Sequence, residues 1–166
     1  MLDQNIGFFP HVSRSNCGSK NILKILKSVK QDPTDIEYYL VTRAYQTRHG
    51  NGPMLNENKG HNIKDNPNET NVTHKWQGNF RKSLLDLELL HYAIDRDEHI
   101  KNSKRQNLVI TCLDHIESEY RYTSYGTTVN CDNEKDFVKK LSEGLGIKNV
   151  FLSHSPNSKN FKKITI

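Results

Sequence analysis

The residues Thr111-Cys112-Leu113-Asp114 close a short apolar run, Asn107 to Leu113. A Thr-x-x-Asp at the end of a strand suits a guanine base, because one carboxylate accepts from both N1–H and the 2-amino group, a pair of donors that adenine lacks. The same spacing also serves an Asp that simply caps the following turn. In Thr47-Arg48-His49-Gly50-Asn51-Gly52-Pro53, glycines flank a basic pair; such a segment either lets backbone approach a ligand or makes a tight turn. A third cluster runs from His74 to Lys82, with the cations Lys75, Arg81 and Lys82 ahead of an apolar helical pattern. Cations beside a helix N-terminus receive a carboxylate or phosphate, the alternative being a solvated loop with Trp76 as its packing anchor. His61, His91, His99 and His115 have no metal-ligand spacing, and no paired carboxylates for glycoside hydrolysis, no GxSxG and no Cys/His nucleophile pair occur.

These segments need strands and helices to hold them. Ser19 to Gln31 alternates Ile22, Leu23, Leu26 and Val29 with lysines, which predicts an amphipathic helix stopped by Asp32-Pro33. Ile36 to Gln46 is β-branched and aromatic, a strand leading into the Gly50–Gly52 turn, and Asn51 to Asn71 is a long polar loop of the functional or disordered kind. Ser83 to Arg96 carries apolar residues at three and four spacing, with Ser83 as N-cap and Asp86 three residues on, and its wide apolar stripe predicts a well-buried helix. Asn107 to Leu113 reads as a central strand with Asp114 at its carboxyl end, and Tyr120 to Val129 as a strand kinked at Gly126. Glu134 to Glu143 reads as a helix closed by Gly144 and Gly146, and Asn149 to Ser153 as the final strand. Strand and helix in alternation define an α/β chain, whose ligands gather beyond the carboxyl ends of the strands. Thr47–Pro53, Thr111–Asp114 and Ser153–Pro156 all meet that description.

Size and charge set the bounds. The 166 residues suit a single domain spanning 1–166, and no apolar stretch is long enough for a membrane span. The first residues show neither a secretory nor an organellar signal, so the expectation is cytoplasmic. A formal net charge of +5 favours phosphate-bearing partners, but the basic residues are dispersed, without an aromatic RNA-binding strand or recognition helix, which argues against nucleic acid. Three scattered cysteines support neither a disulfide framework nor a zinc site.

In order along the chain, five segments resemble the C-terminal half of adenylosuccinate synthetase. Phe8 to Asn16 resembles that family's YPYVTSSN segment, Arg43 to Pro53 its KAYxTRVGxGP segment, and Gly78 to Asp86 its GRPRRxGWxD stretch. Leu108 to Asp114 is similar to the family's LTKLD, and Ser153 to Pro156 to its STGP. The fold implied is α/β, the C-terminal portion of a P-loop-type nucleotide-binding synthetase, a mixed sheet with flanking helices.

The resemblance implies a C–N ligase that uses GTP (or ATP) and Mg2+ to phosphorylate the 6-oxygen of IMP, after which L-aspartate displaces the phosphate. It places Ser13, His49 and Gly50 against the purine substrate, Thr73, Arg81 and Lys82 on aspartate, and Asp114, Ser153 and Pro156 around the nucleobase of the triphosphate. Asn79 stands where the family has arginine, Cys112 where it has the lysine that covers the base, and Ser155 where STGP has glycine. The phage-type branch that forms 2-aminoadenylosuccinate from dGMP varies in the same regions. The family's GDEGKGK loop, with its catalytic base, and its GHT histidine have no counterpart in these residues, so the catalytic groups and metal site are expected in a separate N-terminal half. The family's homodimer is a further expectation, and a non-catalytic nucleotide-binding remnant is the alternative reading.

Overall fold

The computed structural model describes residues 3–32, 36–67, 69–70 and 72–166. Two four-stranded sheets share one core. The first has the order β1 (Tyr38–Arg43), β4 (Gln106–Thr111), β7 (Asn149–Ser153), β8 (Phe161–Thr165); the first three are parallel and β8 is antiparallel to β7. The second has the order β2 (Tyr45–His49), β3 (Phe80–Asp86), β5 (Tyr120–Ser124), β6 (Thr127–Cys131), with a short parallel join between β3 and β5. The helices are α1 (Lys20–Ser28), α2 (Leu87–Asp95), α3 (Glu98–Lys101) and α4 (Glu134–Leu145). Mixed sheets with flanking helices are the α/β arrangement that the sequence predicts.

The expected strand from Ile36 to Gln46 is divided at Ala44. Its N–H still donates to Thr111 O (2.8 Å), the last rung beside β4, while Tyr45 already pairs with Leu84 in the other sheet. One continuous β-rich run therefore ties the two sheets together, with Ala44 and Tyr45 buried at the crossing. β4 is central, as expected: Asn107 to Ile110 are buried between β1 and β7. Phe137, Val138 and Leu141 of α4 close the core over Tyr122 and Val150.

The helix expected from Ser83 begins at Leu87 instead, because Ser83 to Asp86 complete β3. Leu84 and Leu85 are buried on both faces of a strand between β2 and β5, and a short apolar run of this kind does not distinguish strand from helix by periodicity. Asp86 is the true N-cap: its carboxylate accepts from Leu89 N–H (2.9 Å) and from the Thr123 hydroxyl (2.7 Å). Nor is α2 well buried, since Leu87 alone in it is fully enclosed. Tyr120 to Val129 is a hairpin whose Tyr125-Gly126 turn has φ of 47° and 73°, the geometry that matches strand twist. Asn149 to Ser153 is not the last strand; β8 follows, its Phe161 stacked on Phe151 at 5.4 Å.

Asp97 fastens the N-terminal segment to this frame. Its carboxylate accepts from Ser19 N–H (2.6 Å) and the Ser19 hydroxyl (2.7 Å), and from His99 and Ile100 N–H at the start of α3. Burial pushes the Asp97 carboxyl upward, but the bonds from Ser19, Ile100 and His99 outweigh it and hold the group below its ordinary value. A depressed native pKa contributes stability above the unfolded-state pKa of about 3.9, and that contribution is lost as pH falls through the native value. Thermal midpoints of the wild type and Asp97→Asn, measured from pH 7 down to pH 3, should therefore converge on acidification; a constant gap would mean that the carboxylate's charge is irrelevant.

Candidate functional site

β3 presents its side chains alternately to two places. Arg81 points to the turn after β2: its guanidinium donates to Gly50 O (2.6 Å) and Gly52 O (2.9 Å) and pairs with Glu57 at 2.6 Å. Ser83, two residues on, donates to Leu55 O (2.8 Å) on the same side. The turn is compact. Gly50 has φ of 90°, and a Cβ on Gly52 would strike the Arg48 guanidinium and lie 2.9 Å from His11 Nδ1, so the Phe8–Asn16 segment runs against it. His49 sits edge-on to Phe80 at 6.2 Å with Nε2 buried and without a hydrogen-bond partner among the described residues. Ser13 lies exposed nearby in sequence to His11, its hydroxyl 2.7 Å from that of Ser15.

Lys82 points the other way. Its ammonium group donates to Ile63 O (3.2 Å), Lys64 O (2.9 Å) and Asp65 Oδ1 (2.6 Å), at the wall of a 470 Å³ cavity that Thr73, Tyr45 and Phe80 also line. The hydrogen bond from Lys82, with its charge, holds the exposed Asp65 carboxyl below the usual carboxylate range. Thr73 donates to Asn79 Oδ1 (3.2 Å). The structure thus joins Thr73 and Lys82 in one cavity and sets Arg81 on the opposite face of the strand. The cations do not flank a helix N-terminus, which lies at Leu87, and Trp76 is 79% exposed rather than a packing anchor, with Lys75 4.9 Å above its ring.

The remaining group lies on the carboxyl edge of the parallel strands. Asp114 falls in a single 3-10 turn, Leu113–His115, just past β4, after Cys112 in the left-handed region (φ 59°). Its carboxylate is open to solvent, 3.8 Å from His115 Nε2, and Tyr45 OH meets the other ring nitrogen of His115 at 2.6 Å. Since Ile110 pairs with Leu152, Ser153 emerges at the same edge. Its hydroxyl donates to Ser155 O (3.0 Å), and His154 Nε2 pairs with Glu134 at 2.9 Å, which fastens the loop that ends in exposed Pro156. Glu134 also accepts from Tyr120 OH (3.1 Å), whose pKa burial and that carboxylate push up to about 12.

Glu57 and Asp65, which hold the two cations in place, were not expected from the sequence; acidic residues inside the polar loop are their sole signal. Among the described residues no group of three or more His, Cys, Asp or Glu could hold a metal ion. No described helix is long and apolar enough to cross a membrane.

Polar side chains converge on a glycine turn and on the carboxyl edge of the parallel sheet, the edge at which open α/β sheets hold their ligands. Residues 1–144 match the family described as adenylosuccinate synthetase, and the chain belongs to that family. It is 35% identical over 99 residues to an adenylosuccinate synthetase of Thermosipho africanus (strain TCF52B), covering 57% of this chain and 23% of the relative. With the enzyme of that name from Schistosoma japonicum it shares 35% identity over 97 residues, 56% of this chain and 21% of the relative. The matched stretch is thus less than a quarter of either curated relative's length.

Proposed function

We propose that this chain supplies the substrate-orienting part of an adenylosuccinate synthetase-type ligase, in which L-aspartate is joined to the 6-position of IMP, or of dGMP, with hydrolysis of GTP or ATP. In that reading the GDEGKGK loop, the acid and base, and the magnesium site come from the family's N-terminal half. The observation that carries the reading is the two-faced strand β3. It braces the His49–Gly50 turn from one side and opens the Thr73–Lys82 cavity on the other, so a purine and an amino acid can be held on either side of one rigid element. The purine would approach Ser13 and Gly50, and its arrival could satisfy the orphaned His49 Nε2, whose burial without a partner costs free energy. The triphosphate's base would sit at the sheet edge between Asp114 and the Ser153–Pro156 loop.

A thermal-shift screen against IMP, dGMP, GTP, ATP and L-aspartate tests this. A ligand that binds the native state alone stabilises it by about 2.7 kcal/mol at one hundred times its Kd, so at least one purine nucleotide should raise the midpoint. No shift with any nucleotide removes the reading. The aspartate site makes a narrower prediction. Asp65 already occupies the acceptor position at Lys82 that an incoming carboxylate needs. Asp65→Asn should therefore tighten binding of L-aspartate several-fold by titration, and weaker binding would show that Lys82 serves the 63–65 loop and not a ligand.

A further inference from the structure

Backbone brings Asp114 to the sheet edge, but its side chain is 38% exposed, too open for packing alone to fix one rotamer. A two-point contact with a base needs both carboxylate oxygens held in the productive plane by a supporting group. The adjoining His115 is itself firmly held. Its carbonyl accepts from Lys64 N–H (2.8 Å), and its N–H donates to Cys112 O (3.2 Å). Its ring, only 18% exposed, meets the Tyr45 hydroxyl through Nδ1 at 2.6 Å and turns Nε2 toward Asp114 Oδ2 at 3.8 Å. Tyr45 is buried at the crossing of the two sheets, so the ring is tied to the rigid frame. The hydrogens follow from the chemistry of these groups. Burial holds the Tyr45 hydroxyl above its ordinary value despite the pull of the nearby Arg43 guanidinium, so it has a hydrogen to donate. An uncharged His115 accepts it at Nδ1, and the ring's own hydrogen then sits on Nε2; a charged ring carries one there as well. In either state an N–H faces the Asp114 carboxylate. At 3.8 Å this is an electrostatic pull rather than a hydrogen bond, and it leaves the lone pairs of both oxygens available to a ligand. His115 lies outside the five segments that carry the family resemblance.

We propose that His115 is a positioning residue for base selection: anchored by Tyr45, it aims the Asp114 carboxylate so that N1–H and the 2-amino group of guanine are met together. The proposal rests on the functional reading above and adds to it the residue that sets its selectivity. Inosine triphosphate separates the two contacts, because hypoxanthine keeps the N1–H and 6-oxo group of guanine and lacks the 2-amino group alone. A site built to hydrogen-bond a group discriminates against the analogue that lacks it. The ratio of GTP to inosine triphosphate affinity therefore reports whether the second oxygen of Asp114 is in place.

The test is competition binding of GTP and inosine triphosphate to the full chain and two variants. The wild type should prefer GTP by about tenfold, the order expected of one base-reading contact. His115→Phe keeps a ring of similar shape against Tyr45 and removes both nitrogens, so the preference should fall to about twofold or less. His115→Gln gives up the ring but offers one acceptor and one donor on a single amide, and most of the preference should return. A role in packing alone predicts the reverse order, with the phenylalanine variant selective and the glutamine variant not, and that result overturns the proposal. So does a wild type that binds both nucleotides equally. A measurement on the unaltered chain stands beside these: 15N spectra should place the hydrogen of uncharged His115 on Nε2, and a hydrogen on Nδ1 also overturns the proposal. In each of these cases a nucleotide-induced thermal shift of the wild type leaves the functional reading standing; the absence of any such shift removes that reading and this proposal with it.

Discussion

Arg81→Leu is expected to lower the thermal midpoint of the ligand-free chain by roughly 6–12 °C and to abolish the shift given by a purine nucleotide. The guanidinium spans two carbonyls of one turn, Gly50 O and Gly52 O, and reaches Glu57 on the following loop. Hydrogen bonds involving a charged group contribute about 1.5–3 kcal/mol each, whereas the partly exposed pair with Glu57 adds at most about 1 kcal/mol. Losing the set costs on the order of 3 kcal/mol, and in a chain of this length each kcal/mol moves the midpoint by about 2–4 °C. Arg81→Lys should recover part of this, because one ammonium nitrogen can serve the two carbonyls that Nη2 serves but lacks the second nitrogen that reaches Glu57. The direct aspartate contact implied by the family resemblance makes a different forecast. There, Arg81→Leu leaves the ligand-free midpoint nearly unchanged and erases the response to L-aspartate alone. Midpoints with and without each ligand separate the two roles.

The contrast between Arg81 and Lys82 shows what was legible in the sequence. Their positions in a cationic cluster identify both as candidates, and the alternation of a strand then sends them to opposite faces. That separation was hidden because the Ser83 to Arg96 pattern reads as one helix, which would have put the cations at its N-terminus. The information that decides it is long-range: Leu84 and Leu85 form β3 because Tyr45 and Tyr122 are there to pair with them. By contrast, β4, α4 and the turn at Gly50 are legible from local pattern, since an apolar run bounded by polar residues, a 3.6-residue stripe and clustered glycines each carry their own signal. Glu57 and Asp65 had no such signal, because what matters about them is the cation each reaches across the fold. The shallow burial of α2 was likewise invisible: an apolar helix face looks the same in sequence whether its own chain or another polypeptide covers it.

Asp114→Asn is expected to weaken GTP binding at least tenfold and to favour xanthosine triphosphate. The carboxylate stands just past the end of β4, where the chain passes through Cys112 in the left-handed region and enters a single 3-10 turn, so its direction is set by backbone rather than by side-chain packing. His115 Nε2 lies 3.8 Å from the carboxylate, and His115 is itself steadied by Tyr45 OH, so the substitution should leave the fold intact. Guanine presents N1–H and the 2-amino group side by side, and a two-point contact of this kind is worth about 1–3 kcal/mol of discrimination between bases. Asparagine keeps one acceptor and turns the other position into a donor, which matches the 2-oxo group of xanthine and opposes the 2-amino group of guanine. Cys112 and Ser155 stand where the family resemblance places a lysine and a glycine, and if those changes have carried the site toward adenine, the Asp114 substitution will leave the preference between ATP and GTP unaltered. Competition binding of GTP, ATP and xanthosine triphosphate to the wild type and Asp114→Asn decides between them: inversion of the guanine and xanthine ranking assigns the base-reading role to Asp114, and an unchanged ranking takes that role away from it.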